Sequence, residues 1–189
     1  MNVNKWGPAG WELLHSMAFN YPLEPMDENK KIYSNFFKSI GDILPCKYCR
    51  ESYNIYYKYI PIDDFLDSRE GVSYWLYRIH QLINEKIFKN NIPFEDVVIK
   101  YENMRAKCGK LTRDNDLDKK YKTCQLKTKS IDKIYLNKFI TKSESYKKKI
   151  DDMVDKLYKS DENPNKECLE IINKKNKENI LKMKIYYSL

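Results

Sequence analysis

An all-α fold is predicted by three features of this sequence. Glycine is scarce, with 5 residues in 189. Apolar residues recur at spacings of three and four, the period of a helix face. Prolines bound the periodic runs at Pro8, Pro22, Pro45, Pro61, Pro93 and Pro164. No run alternates apolar and polar as a half-buried strand would, and turn dipeptides are few. A chain of this length can bury a sizeable core.

The elements follow in order. Trp11, Leu14, His15 and Ala18 share one face of a first helix, with Pro8 expected in its first turn and Pro22 as its stop. A second helix is predicted over about Glu28–Ile43, with Ile32, Phe36, Ile40 and Ile43 along one face; Pro45 breaks it. A third should run from Cys46 to Tyr59, stopped by Pro61. After a linker, Ser68 can cap a fourth helix reaching Phe88, with Val72, Trp75, Leu76, Ile79, Leu82 and Ile83 apolar. Pro93 precedes a short fifth helix over Phe94–Met104. Short connections between these helices predict a bundle.

After Cys124 the chain changes character. From Gln125 onward there are 16 lysines against 10 acidic residues, which accounts for most of the net charge of +8. Amphipathic segments are expected at Ile131–Phe139, Ile150–Tyr158 and Cys168–Tyr187, the last two separated by the break at Asp161–Pro164. The sequence therefore divides into a unit over 1–124 and a basic, lysine-rich helical extension over 125–189, part of which can be disordered. The positive charge reads as a hydrated surface or as a face for an anionic partner. The first reading is preferred, and nucleic acid is not the expected partner. No stretch is apolar and long enough to span a bilayer. The N-terminal residues lack a signal peptide's apolar region.

Five cysteines are present: Cys46, Cys49, Cys108, Cys124 and Cys168. In a chain without a signal peptide they point to catalysis or metal binding before structural bridges. Pro45-Cys46-Lys47-Tyr48-Cys49-Arg50 opens a predicted helix. A cysteine in a helix's first turn meets the positive end of the macrodipole, which stabilises its thiolate. Two cysteines three apart on that turn suit thiol–disulfide exchange. Other chemistries compete. Half of a zinc site would need Cys108 and Cys124, or a histidine, as its other half. Those two cysteines have 15 residues between them, where structural zinc prefers a close pair. A thioredoxin-like motif would follow a strand, and none precedes Cys46. Haem attachment would need histidine where Arg50 stands.

The only two histidines have matching company. Trp11 and His15 are four apart on one helix, and His80 and Asn84 four apart on another. Polar groups inside otherwise apolar stripes need hydrogen-bond partners. A flat aromatic cofactor with polar edges would supply them and fill the space between the helices.

Three motifs, taken together, resemble the Erv/ALR sulfhydryl oxidases. They are Trp6-Gly7-Pro8-x-x-Trp11-x-x-x-His15 with Tyr21-Pro22, then Leu44-Pro45-Cys46-x-x-Cys49, then Trp75-x-x-x-x-His80-x-x-x-Asn84-x-x-x-x-Lys89. They stand in the family's order and spacing and cover residues 6 to about 108. The compact start looks most like the enzymes of large cytoplasmic DNA viruses, and no N-terminal shuttle arm is expected.

The resemblance implies four helices cradling FAD with a short fifth helix capping it, a homodimer, and no metal. It implies that Cys46 and Cys49 are catalytic. Cys49 would lie against the flavin ring, and Cys46 would face outward to a dithiol protein substrate or a thioredoxin-like electron donor. Oxygen would be the final acceptor and hydrogen peroxide the product. Trp11, His15, Tyr21, His80, Asn84 and Lys89 would contact the cofactor, with Lys86 and Tyr101 as further candidates. Cys108 and Cys124 would form a structural disulfide, worth about 3 kcal/mol through the unfolded state. Cys168 is left over, so the tail is not expected to shuttle electrons. Host cytoplasm or virion is the expected location for a viral protein, and the mitochondrial intermembrane space for a cellular one. The rival reading is a zinc-stabilised helical module whose basic tail binds nucleic acid.

Overall fold

The computed structural model describes residues 2–104, 131–167, 170 and 174. Every regular element among them is helical: α1 (Val3–Phe19), α2 (Asp27–Ile43), α3 (Lys47–Tyr59), a 3₁₀ turn (Ile62–Phe65), α4 (Arg69–Lys86), α5 (Phe94–Asn103) and α6 (Lys133–Lys159). The predicted all-α class holds.

α1 starts earlier than the sequence suggests. Asn2 caps it, its Oδ1 accepting from the Asn4 amide at 3.0 Å. Pro8 therefore lies inside the helix and not in its first turn. The correction has a simple cause: an asparagine cap outside the periodic run satisfies the free amides before the proline is reached. In α2 the expected face is only half used. Phe37, Ile40 and Gly41 are buried, while Ile32 and Ile43 stay 54% and 69% exposed. α2 and α3 approach closely at Gly41, where a Cβ would fall 1.7 Å from Asn54 Oδ1. The Asn54 amide instead donates to the Gly41 carbonyl at 3.2 Å.

α4 is the central helix. Ser68 caps it as expected, its Oγ accepting from the Gly71 amide at 3.1 Å. Val72, Ser73, Tyr74, Trp75, Leu76 and Tyr77 are all buried, so α4 has no solvent side over that stretch. α1 packs on it along one side, the 3₁₀ turn near its start, and α6 along another. Gly71 is required where the turn meets it, since a Cβ would stand 2.5 Å from the Phe65 carbonyl oxygen. The end of α4 is a Schellman motif. The Phe88 amide donates to Glu85 O at 3.2 Å and the Lys89 amide to Asn84 O at 2.9 Å. Phe88 has φ 56°, the left-handed conformation that usually selects glycine.

The two segments expected at Ile131–Phe139 and Ile150–Tyr158 are one unbroken helix of 27 residues. Its buried positions are Leu136, Phe139, Ser143, Ile150, Val154 and Leu157. The apolar run is interrupted in sequence because Ser143 replaces an apolar residue; its hydroxyl donates to the Phe139 carbonyl at 2.8 Å. Phe139 stacks on Phe19 at 5.7 Å and reaches Phe94 at 6.4 Å. Ion pairs from Lys142 to Glu70, Lys149 to Asp64 and Arg78 to Asp151 tie α6 to α4 and the 3₁₀ turn. α6 thus shares one core with α1, α4 and α5.

Because Phe139 is 1% exposed, Phe139→Ala should cost about 3–5 kcal/mol in chemical denaturation of the full chain. Lys138→Ala, one residue away on the exposed face, should change it by less than about 0.5 kcal/mol. Equal, small effects would mean that α6 does not belong to the core.

Candidate functional site

Two adjoining cavities lie at one end of the bundle. The larger, about 920 Å³, is walled by α1, α4, α5 and the segment that follows α4. The smaller, about 370 Å³ and almost wholly apolar, lies between α1, the α2–α3 junction and the end of α4. Trp11, Ile83 and Cys49 belong to the walls of both. The volumes fall in the range of about 300–1,000 Å³ usual for small-molecule and cofactor sites.

The α1–α4 pairing brings the two histidine faces together, as their spacing suggested. The Trp11 ring stacks on His80 with centroids 3.8 Å apart and planes 8° from parallel. His15 Nε2 and His80 Nδ1 share a hydrogen bond of 3.0 Å. Tyr101 of α5 stacks on the other side of His15 at 5.1 Å. Burial drives the His15 pKa down to about 3, aided by His80 and the Lys100 charge. Burial also lowers His80 to about 4, aided by Lys89 and Lys100. Both rings are therefore neutral at pH 7, and the shared bond joins one ring's N–H to the other's lone pair.

His15 Nδ1 is buried and has no hydrogen-bond partner among the described residues. Buried ring nitrogens are rarely left so. Asn84 and Lys89 line the same cavity, and the Asn84 amide reaches Asn91 Oδ1 at 3.2 Å. A flat aromatic wall, an orphaned nitrogen and neighbouring amide and ammonium groups suit a heteroaromatic cofactor bearing phosphates. Among the described residues no group of His, Cys, Asp and Glu is placed to hold a metal ion.

Tyr21 lies apart from these residues. It lines neither cavity. It is fully buried beside Tyr33, and its hydroxyl donates to the Leu66 carbonyl at 2.7 Å. That hydroxyl bond serves the fold. Cys108 and Cys124, like Cys168, lie outside the described residues.

The cysteine pair sits where α3 begins. Cys46 is the N-cap, and its Sγ accepts from the Cys49 amide at 3.4 Å. The Cys49 side chain and the amides of Cys49 and Tyr48 hold the Cys46 thiol below its ordinary pKa. Cys49 is opposite in character. Burial raises it to about 11, the bond to Cys46 and that residue's charge add to the rise, and Lys86 acts against it. The first proton is therefore lost from Cys46. Cys49 lines both cavities and Cys46 neither.

Several contacts in the wall had no clear signal in the sequence. Lys100 approaches the Tyr101 ring at 5.1 Å and pairs with Glu12 at 3.7 Å. Val97, Lys100 and Tyr101 do share a helical face, which identifies a buried side of α5 but not a site. Lys86 hydrogen-bonds Ser52 across from α3; nothing local to either residue announces that pairing.

Comparison with known proteins follows this geometry. The profile of the Erv1 / Alr family matches residues 8–102. A probable FAD-linked sulfhydryl oxidase of Acanthamoeba polyphaga mimivirus is 33% identical over 99 residues, 52% of this chain and 69% of that protein. The mitochondrial FAD-linked sulfhydryl oxidase ERV1 of Saccharomyces cerevisiae is 33% identical over 89 residues, 47% of this chain and 46% of the yeast protein. The chain thus spans under half the length of that relative. The crystal structure of the FAD binding domain of Erv1 from Saccharomyces cerevisiae superimposes with a TM-score of 0.52 at 27% identity, covering 55% of this chain and 96% of that one.

A histidine that is neutral when folded but titrates near 6.5 when unfolded binds its proton only on unfolding. Its contribution is complete above pH 6.5 and is lost as the pH falls towards the folded value. Stability should therefore drop on the order of 1–2 kcal/mol between pH 7 and pH 5 on account of His15. His15→Gln should flatten that part of the profile, measured by chemical denaturation at each pH. An equally steep profile in the variant would contradict the neutral, buried imidazole.

Proposed function

The chain belongs to the Erv1 / Alr family, and on that premise we propose that it is an FAD-linked sulfhydryl oxidase that makes disulfides in protein substrates. The observation that carries this reading is the position of Cys49. One thiol of an adjacent pair lines the cavity that holds the stacked Trp11 and His80, while its partner caps a helix outside it.

Trp11, His15, His80, Asn84 and Lys89 are the residues proposed to hold FAD, with His15 Nδ1 free to bond it. When bound, FAD supplies the two-electron acceptor that links the thiols to oxygen. The protein's own part is thiol–disulfide exchange. With the Cys46–Cys49 pair oxidised, a substrate thiolate attacks Cys46 Sγ. The bond between Cys46 and Cys49 breaks, a mixed disulfide forms, and Cys49 leaves with the electron pair. The second substrate thiol then displaces Cys46. The substrate loses two electrons and two protons, and the cysteine pair gains them. A thiol that ionises readily is a good leaving group in this second step, which suits Cys46 at a helix N-terminus.

The proposed electron donor is a dithiol protein or a thioredoxin-like carrier, the acceptor oxygen, and the assembly a homodimer. The proposed catalytic unit is residues 1–124, with a Cys108–Cys124 bridge, supported by the extension over 125–189. Relatives include a mitochondrial and a viral protein. No helix among the described residues is long and apolar enough to cross a membrane. Host cytoplasm or virion is proposed for a viral source, and the mitochondrial intermembrane space for a cellular one.

Cys46→Ser and Cys49→Ser should each bring dithiol-dependent oxygen consumption below roughly a hundredth of the parent rate. Both variants should keep their flavin, read by absorbance after gel filtration. Parental turnover in either variant would remove the pair from the reaction.

A further inference from the structure

α3 carries Cys49 and α4 carries His80 and Asn84, so the separation of these two helices sets what surrounds Cys49. They run antiparallel, with a hydrogen bond between them towards either end. Trp75 Nε1 donates to the Ile60 carbonyl at 2.8 Å at one end. Lys86 donates to Ser52 Oγ near the other. Between these ties lies a residue from the far end of the sequence. Asn165 is fully buried. Its Oδ1 accepts from the Tyr56 hydroxyl of α3 at 2.5 Å, and its amide donates to the Leu82 carbonyl of α4 at 2.9 Å.

Tyr56 and Leu82 each lie one helical turn from Ser52 and Lys86, about 5.4–6 Å along the axes. The Asn165 bridge and the Lys86–Ser52 bond are thus consecutive rungs of one ladder, and Cys49 is a further turn along. Asn165 is itself held firmly. Its backbone amide donates to Asn163 Oδ1 at 2.9 Å. Glu162 accepts from Lys58 at 2.6 Å and from Tyr59 at 3.1 Å. The Tyr158 hydroxyl donates to Glu85 at 2.5 Å. α6 packs on both α3 and α4. Tyr158, Glu162, Asn163 and Asn165 all lie beyond the segment 8–102 matched by the family profile.

We propose that Asn165 is a positioning residue: it clamps α3 to α4 and so keeps the Lys86 ammonium, held by Ser52, beside Cys49. Attack on the Cys46 sulfur expels Cys49 as a thiolate, and a fixed cation there favours its departure. This consequence rests on the exchange reaction above, but the placement of Lys86 does not. Other groups face Cys49 as well. Cys46 lies on its own helix, Glu12 and His15 come from α1, His80 from α4, and Lys89 and Lys100 lie across the larger cavity. α2 contributes only apolar residues to the wall there. Lys86 is the cation that acts on Cys49.

The test is the pH midpoint of Cys49 alkylation, followed by mass spectrometry of its peptide in the reduced full-length chain. A Cys46→Ser background removes the neighbouring thiolate. The midpoint reports the thiol's charge environment, whereas altered access changes only the plateau. Lys86→Met should raise the midpoint by about one pH unit. Asn165→Ala should raise it comparably, and the double variant no further than Lys86→Met alone. Phe139→Ala, which loosens α6 away from α3, should leave it in place. Tyr56→Phe, which removes one hydroxyl, serves if Asn165→Ala fails to fold. An unmoved midpoint in Asn165→Ala, additive shifts in the double, or an equal shift in Phe139→Ala would overturn the proposal. None of these outcomes depends on oxidase turnover, so failure here leaves the proposed activity standing.

Discussion

The constraint on which the molecule depends is that α4 is buried on every side from Val72 to Tyr77. A helix buried all round must be covered all round. Val72 through Tyr77 have no exposed member among them. α1 covers one side, the 3₁₀ turn closes the start through the Gly71 contact, and α6 completes the jacket. The polar groups that α4 carries inward must then be answered by its neighbours. The Trp75 indole finds the Ile60 carbonyl and His80 finds His15. Towards its C-terminal end the cover stops, and the two cavities open there.

The same burial divides the electrostatics. Two imidazoles removed from water remain neutral and serve as flat hydrogen-bonding walls, not as proton carriers near pH 7. The two thiols, one turn apart, are driven in opposite directions. The Cys49 side chain and the helix amides favour ionised Cys46, while burial and the neighbouring sulfur hold Cys49 protonated. A pair separated in this way has a defined entry thiol and a defined inner thiol before any partner arrives. The φ of 56° at Phe88 is the backbone strain at this end. It turns the chain sharply, so that Lys89, Asn90 and Asn91 return to the cavity rim.

Much of the fold was legible because its punctuation is local. Ser68, Pro45, Pro61 and Pro93 act within a few residues of where they stand, and the helices they bound appear close to the expected ranges. Pro8 misled because the Asn2 cap outranks it. α6 was read as two segments because Ser143 interrupts the apolar stripe, and a lysine-rich surface hid how deep Phe139 and Ile150 lie. At the site, Cys46, Cys49, Trp11, His15, His80 and Asn84 were visible as spaced pairs on helix faces. Tyr21 was carried by resemblance alone, and its place in the core depends on the Leu66 carbonyl, a contact no spacing encodes. Lys86–Ser52 and Tyr56–Asn165 join residues 34 and 109 positions apart. Such pairings exist only once the helices have packed.

The central claim is that the paired aromatic faces hold a flavin in contact with a redox thiol. Its most direct test is the visible absorption spectrum of the purified full-length chain, recorded without oxygen before and after a small dithiol is added. The account predicts flavin bands corresponding to roughly one FAD per chain, released as FAD on denaturation, bleached by the dithiol and restored by air. A colourless protein carrying zinc would contradict it, as would a bound flavin that dithiol does not reduce.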